Sequence, residues 1–180
     1  IMNIFYLHKT PTISVKMHCD KHVVKMVIEY AQLLSTAHRM LDGTQWTDAS
    51  SGRRIKRWRL DNSNMDGVLY KASHINHPSA IWVRENQKQY QYMYNMFVNL
   101  CDEYTYRYGK IHMTDSKLRD LLSESPSNMA QGLFREPPQC MPDYCKQSNA
   151  LDGYRTYYRE EKKGFAKWTK REVPEFMNVA

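Results

Sequence analysis

The densest group of side chains that can do chemistry is the run HCDKH at positions 18–22. Asp20 precedes Val24 by four residues, so in a helix both side chains would lie on one buried face, where desolvation raises the pKa of a carboxyl group. A carboxyl group in such a cleft can act as a general acid or base or stabilise a developing cation. The alternative is that Asp20 only caps the start of the helix.

Histidines in and beyond this run raise the question of a metal site. His18 and His22 are four residues apart, and His74 and His77 could complete a set of ligands. No glutamate follows His18 as in the metalloprotease pattern, and histidines near helix ends are usually hydrogen-bonded structural groups. We therefore expect no metal ion and no other cofactor, and keep a metal-dependent nuclease built on these four histidines as an alternative.

A strongly basic segment, RRIKRWR, occupies positions 53–59. Its five cations repel one another unless an anion lies between them, arginine pairs with phosphate, and Trp58 can stack on a base or wedge into a duplex. The alternative is a solvated loop with Trp58 in the core. A second basic group surrounds Trp168 near the C-terminus. The predicted nucleic-acid contacts are Arg53, Arg54, Lys56, Arg57, Trp58, Arg59, Arg107, Lys110, Lys170 and Arg171.

A proline-rich loop, PPQCMPD at positions 137–143, is rigid and carries polar side chains. Within it, Gln139 could contact a base edge and Asp143 could be a second acid. In the tyrosine cluster before Gly109, helical spacing places Tyr104 and Tyr108 in the core. Tyr106 between them could instead contact a ligand. These three side chains are therefore candidates for a ligand pocket.

Two long helices must position these groups. Apolar residues recur at steps of three and four from about 18 to 41, and again from Pro78 to Tyr108, where Gly109 ends the pattern. The remaining predictions are a basic loop or small hairpin within 44–66, a short helix at 114–122, a proline-rich ordered coil at 123–149 and a helix from 150 to about 168.

The whole chain has the size and composition of one compact, mostly α domain. It has 180 residues, 42% of them hydrophobic, and a formal net charge of +7, which favours a polyanionic partner such as nucleic acid. No run has the apolar length of a membrane-spanning helix. We expect a cytoplasmic monomer without membrane contact, a natural start at Met2 rather than Ile1, and a flexible tail after Pro174.

Several of these features together resemble the small helical DNA glycosylases of the phage pyrimidine-dimer glycosylase (endonuclease V) type. The opening NIFYLH at positions 3–8 looks like the start of that family, and Asn76-His77-Pro78 before a helix looks like its Asn-His-Pro segment. The aromatic and basic C-terminal part is similar in character only. The likeness covers parts of roughly the first 110 residues.

This resemblance implies an all-helical enzyme that binds duplex DNA, flips out a nucleotide and cuts its N-glycosidic bond while a carboxylate stabilises the sugar cation. Asp20 is the position we match to that acid, with Glu29 as its substitute and His22 acting on the attacking water. Family members that also nick DNA use an N-terminal amine exposed by removal of Met, whereas bulky Asn3 after Met2 should retain it. A monofunctional glycosylase is therefore expected. The predicted base pocket consists of His18, Asn76, His77, Tyr106, Gln139 and Asp143.

A further likeness is to phage-related glycosylases that remove bulky modified bases, including glucosylated hydroxymethylcytosine, from phage DNA. The proline-rich loop and the many Tyr, Asn and Gln residues could line a sugar-sized polar pocket. The sequence predicts a DNA glycosylase that leaves an abasic site. Besides the metal-dependent nuclease, a non-catalytic nucleic-acid-binding phage accessory protein remains an alternative.

Overall fold

The computed structural model describes residues 2–178, and the predicted compact, mostly α single domain is confirmed. A single hydrophobic core joins the elements, with α2 packed against α4, α5 and α6, and α1 against α5. The helices and strands are α1 (Pro11–Met17), α2 (Asp20–Asp42), β1 (Thr44–Asp48), β2 (Ile55–Arg59), α3 (Ser63–Asp66), α4 (Pro78–Glu85), α5 (Gln87–Tyr108), α6 (Met113–Leu118) and α7 (Ala150–Tyr157).

Helix α2 is the first long helix that the apolar spacing predicts. Its buried face carries Val23, Met26, Val27 and Tyr30, while Val24 remains 44% exposed. The prediction that Asp20 shares a buried face with Val24 is therefore wrong, because the apolar stripe is centred one residue away from Val24. Residues 2–7 have no regular secondary structure and run buried beside this helix.

The second predicted helix is interrupted at Asn86 and forms two helices, α4 and α5. Asn86 has extended backbone angles, and its side chain accepts a hydrogen bond from the backbone N–H of Gln89, which caps α5. The Asn86 side chain also donates to the carbonyl oxygen of Leu133. The cap and its distant partner stabilise the break, while Gly109, with φ +71°, ends α5 as predicted.

The basic segment forms the second strand of a β-hairpin. β1 and β2 pair antiparallel, with Trp46 opposite Arg57 and Thr44 opposite Arg59. This result settles the loop-or-hairpin alternative in favour of a hairpin. The guanidinium of Arg39, at the end of α2, donates to the carbonyl oxygen of Trp58 and so fixes the hairpin to the helical core.

The C-terminal third is less helical than its sequence predicts. Helix α6 ends at Leu118, and after α7 the chain continues as a π-helix only to Lys162 rather than to residue 168. The proline-rich coil between them is confirmed, apart from one 3-10 turn at Asp143–Cys145. The expected flexible tail is wrong for residues 175–178, which form a 3-10 helix with Phe176 buried against the core.

No helix between residues 2 and 178 is both long enough and apolar enough to cross a membrane.

Candidate functional site

A cavity of about 260 Å³ opens beside the first half of α2. Three parts of the chain that are far apart in sequence form it: the N-terminal segment, one face of α2, and the end of α7 with its π-helical continuation. The α2 residues recur at the three- and four-residue steps of one helix face. The lining residues are Asn3, Phe5, His22, Lys25, Met26, Glu29, Tyr157 and Lys162.

Buried hydrogen bonds fix the N-terminal segment at this cavity. The Phe5 N–H donates to the Tyr30 hydroxyl at 3.1 Å, and the hydroxyl of Ser14 bridges the segment by accepting from the Leu7 N–H and donating to the Phe5 carbonyl. Since this extended segment has no strand partner, these side chains satisfy its backbone groups instead. The Phe5 ring is thereby held at the cavity wall.

His18 belongs to the hydrogen bonds that fix the N-terminal segment and does not line a ligand pocket. Its Nδ1 lies 2.8 Å from the carbonyl oxygen of Ser14, which only accepts, so Nδ1 carries the proton and Nε2 accepts from the Tyr30 hydroxyl at 2.8 Å. Burial lowers the pKa of His18 to about 4, which keeps the ring neutral. Both ring nitrogens are used, so the prediction of His18 in a base pocket is wrong.

His22 does line the cavity. Its ring stacks on Phe5 with centroids 4.1 Å apart, and its Nδ1 lies 2.6 Å from the hydroxyl of Tyr158. That hydroxyl accepts from the Cys19 N–H, so its own proton is available to Nδ1, which favours the His22 tautomer with Nε2 protonated. Burial, with nearby positive charges, lowers the pKa of His22 to about 2. A ring with so low a pKa is a hydrogen-bonding group rather than a base.

Glu29 and Asn3 give the cavity its unsatisfied polar atoms. Glu29 Oε2 lies 3.5 Å from the Lys25 ammonium, an ion-pair distance, but it has no hydrogen-bond partner among residues 2–178. Asn3 is only 5% exposed, and its Oδ1 is likewise without a partner in the described chain. Buried polar atoms are rarely left unpaired, so two at one cavity indicate a place for an external polar group.

The far wall of the cavity belongs to the C-terminal part of the chain. The Lys162 ammonium lies 4.5 Å above the ring of Tyr157, a cation–π contact that holds both side chains at the cavity. The intervening residues adopt the π-helical form, which is rare and concentrates at functional sites.

Asp20 has a structural role, which corrects its assignment as the catalytic acid. Its carboxylate accepts from Arg107 at 3.0 Å and from the backbone and hydroxyl of Thr169 at 2.9 and 2.6 Å. Partial burial would raise the pKa of Asp20, but the hydrogen bonds from Thr169 and Arg107 outweigh it and lower the pKa instead. Asp20 does not line the cavity.

The side chains near Asp20 that the sequence predicts to contact nucleic acid mostly bind other groups of the protein. Arg107 is buried and pairs with Glu103 at 2.8 Å as well as with Asp20, so it is not a nucleic-acid contact. Arg171 pairs with Glu103 at 2.9 Å and covers one face of Tyr106, and Lys170 donates to the Tyr106 carbonyl. Tyr106 therefore belongs to this cluster and not to the cavity.

Lys110, just beyond α5, is exposed and remains a predicted contact.

The hairpin keeps only part of its predicted charge free. Arg53, Arg54 and Lys56 are exposed. Arg57 lies 3.7 Å from Asp48, and the guanidinium of Arg59 lies over the ring of Trp46.

Trp58 is partly buried, and the backbone of Gly43 lies so close that a Cβ there would come within 3.0 Å of the Trp58 Cβ. The expected wedge into a duplex is therefore not supported for Trp58.

The remaining predicted pocket residues lie elsewhere or are occupied. His77 caps α4 by accepting from the Ser79 N–H, and Asn76 before it is exposed and outside the cavity lining. Gln139 exchanges two hydrogen bonds with the backbone of Gln147.

Asp143 is exposed and pairs with Lys146, so it too lies apart from the cavity.

The four histidines of the nuclease alternative do not form a ligand set. His18 and His22 are hydrogen-bonded to tyrosines, and His77 caps α4 in another part of the fold. In the described part of the chain, no three His, Cys, Asp or Glu side chains lie close enough together to hold a metal ion.

Sequence reasoning identified His22 and Glu29 but missed most of the site. Lys25 had a usable signal, because it lies three residues after His22 and four before Glu29 on one helix face. Asn3, Phe5, Tyr157 and Lys162 had none, because only long-range packing brings them to α2.

No protein-family model, curated protein or solved structure matches this chain at a significant level.

Proposed function

We propose that the protein is a DNA glycosylase and that the cavity beside α2 receives a base flipped out of DNA, with Glu29 as the catalytic carboxylate. The observation that carries this proposal is Glu29, which lines the cavity and whose buried Oε2 has no hydrogen-bond partner in the described chain. Asp20, in the first turn of this helix, is engaged by Arg107 and Thr169.

The reaction needs a negative charge at the point where the sugar becomes positive. As the bond between the sugar C1′ and the base nitrogen breaks, its electron pair leaves with the base and C1′ develops positive charge. A carboxylate in a partly desolvated site stabilises that charge more than water does. Water then adds to C1′, and its proton passes through Glu29 toward the departing base. His22, with its low pKa, orients the base or the water by hydrogen bonding.

The polar atoms of the cavity suit recognition of a base edge. Asn3 Oδ1 is an acceptor and His22 Nε2–H a donor, while the Tyr157 ring, with Lys162 over one face, adds an aromatic side. A flipped base is held by such hydrogen bonds and by stacking. At about 260 Å³ the cavity is slightly smaller than a typical drug-sized site, so a glucose on the base would extend from its mouth.

The cavity supports base release without strand cleavage. Both of its amines have partners: Lys25 Nζ lies 3.5 Å from the Glu29 carboxylate and Lys162 Nζ lies over the Tyr157 ring. An amine held by such contacts is not free to attack the abasic sugar, so we expect no Schiff base. The product is an abasic site, and borohydride traps no protein–DNA adduct.

The test is incubation with genomic DNA that carries cytosine, hydroxymethylcytosine or its glucosylated form. Mass spectrometry of the released bases and an abasic-site assay identify the substrate, and the Glu29→Gln protein controls for contaminating enzymes. Release of one modified base with matching abasic sites supports the proposal. Salt-dependent binding without any released base from these DNAs contradicts it and favours the non-catalytic binder.

A further inference from the structure

A second cavity of about 280 Å³ lies between one face of the hairpin and the segment that follows α3. Side chains alternate between the two faces of a strand, and cross-strand partners share a face. Because Trp46 pairs with Arg57 and Thr44 pairs with Arg59, Trp46 and the two arginines project on the same side of the hairpin. Trp58 also lines the cavity. Lys71 contributes from the opposite wall.

The framework of this cavity is rigid. The guanidinium of Arg39 donates to the carbonyl oxygens of Trp58, Asp66, Leu69 and Tyr70 at 2.7–2.9 Å, and also to the Asp66 carboxylate. Its hydrogen-bonding capacity is thereby used within the protein, so Arg39 fixes the walls rather than binding a ligand. A pre-formed wall lowers the entropy cost of binding.

Three cations at the cavity keep capacity for an external anion. Arg57 Nε is buried without a hydrogen-bond partner among residues 2–178. It lies 3.7 Å from Oδ2 of Asp48, which also lines the cavity and whose Oδ1 accepts from Ser50. The Arg59 guanidinium lies over the Trp46 ring, 4.8 Å from its centroid. Lys71 is exposed at the opposite wall. This arrangement of guanidinium groups and an ammonium suits a phosphate.

Trp46 supplies an aromatic surface beside these cations. It is 38% exposed, whereas Trp58, which also lines the cavity, is partly buried. An indole held in place by a guanidinium is a platform on which a nucleobase stacks, because stacking is favourable for every base.

We propose that this cavity binds one unpaired nucleotide of a DNA strand, with its base on Trp46 and its phosphate between Arg57, Arg59 and Lys71. Glu29 and Arg39 are ten positions apart on α2, which is about 15 Å of helix. The inference concerns binding alone and stands whether or not the protein releases a base.

The test follows tryptophan fluorescence while oligo-thymidine of ten nucleotides is added, with a fully paired duplex and inorganic phosphate as comparison ligands. Oligo-thymidine should quench the fluorescence and the paired duplex should quench it less. In Trp46→Phe the quenching should disappear while binding by anisotropy is retained. In Trp46→Leu the Kd should rise about tenfold, since stacking is lost. Trp168→Phe, which lies outside the lining of this cavity, should retain the quenching.

Unchanged quenching in Trp46→Phe, or wild-type affinity in folded Trp46→Leu, overturns the stacking contact. Wild-type affinity in the Arg59→Gln/Lys71→Gln double variant overturns the phosphate contact. Inorganic phosphate that competes as well as oligo-thymidine shows an anion site without base recognition and also overturns the proposal. Base release by Trp46→Leu at saturating protein reports separately on the cavity at Glu29.

Discussion

Glu29 and Asp20 are two carboxylates on one helix with opposite surroundings. Asp20 accepts hydrogen bonds from Arg107 on α5 and from Thr169 in the C-terminal segment, and so binds both to α2. Glu29 lines a cavity, and its buried Oε2 has no hydrogen-bond partner in the described chain. One carboxylate therefore stabilises the fold, and the other is the one that we propose for catalysis.

The buried histidines predict how stability depends on pH. Burial lowers the pKa of His18 and His38 to about 4 and that of His22 to about 2, below the usual 6.5, so in this range the unfolded chain binds protons that the folded protein does not. The free energy of unfolding should therefore fall as the pH drops from about 6.5 to 4, by about 1.4 kcal/mol per pH unit for each such proton. Urea unfolding across this range measures it; a stability independent of pH would contradict it.

Arg107 predicts a large loss of stability when its charge is removed. In Arg107→Met the buried Glu103 loses its closest cation and Asp20 loses one partner. Breaking a buried ion pair from one side costs about 3–5 kcal/mol. Urea unfolding should show a loss of this size, whereas exposed Lys110→Met should change stability by less than about 0.5 kcal/mol. Equal stability of the two variants would contradict the structural role.

Hairpin charge predicts the salt dependence of DNA binding. Arg53 and Arg54 are exposed between the two strands, whereas Arg57 and Arg59 contact Asp48 and Trp46. In Arg53→Gln/Arg54→Gln, the slope of log affinity against log salt should fall by about 1–2, since each phosphate contact contributes about 0.9. Titrations at several salt concentrations measure it, with Lys117→Gln on α6 as the control. An unchanged slope would show that Arg53 and Arg54 face solvent in the complex and do not contact DNA phosphates.

At the scale of elements, the sequence predicted those features that depend only on residues close together in the chain. The apolar spacing of α2 and Gly109 at the end of α5 are encoded within a few residues, and both were predicted. The break at Asn86 was not, because it depends on a hydrogen bond to Leu133, 47 residues away. The sequence also predicted the wrong buried face for α2. The three- and four-residue spacing includes Val24, which is exposed, so spacing alone does not show which residues lie at the centre of the buried face.

At the scale of the molecule, the site exists only when the chain ends meet α2. His22 and Glu29 were predictable as polar groups on one helix. Asn3 and Tyr157 were not, because only the tertiary fold brings both ends of the chain to this helix. The misassignment of Asp20 has the same origin, since its partner Thr169 lies 149 residues away. Arg107 and Arg171, which sequence reasoning assigned to DNA, are likewise paired with Glu103 within the fold.

The most direct measurement of the central claim is the single-turnover rate of base release by Glu29→Gln and by Asp20→Asn. The substrate is the modified DNA from which the wild-type protein releases a base. Glu29→Gln should bind DNA normally but release the base at least about 100-fold more slowly, because the charge that stabilises the sugar cation is lost. Asp20→Asn should lose stability but keep its rate per folded molecule. A wild-type rate of base release in Glu29→Gln would contradict the assignment. So would a rate that is lost in correctly folded Asp20→Asn but kept in Glu29→Gln.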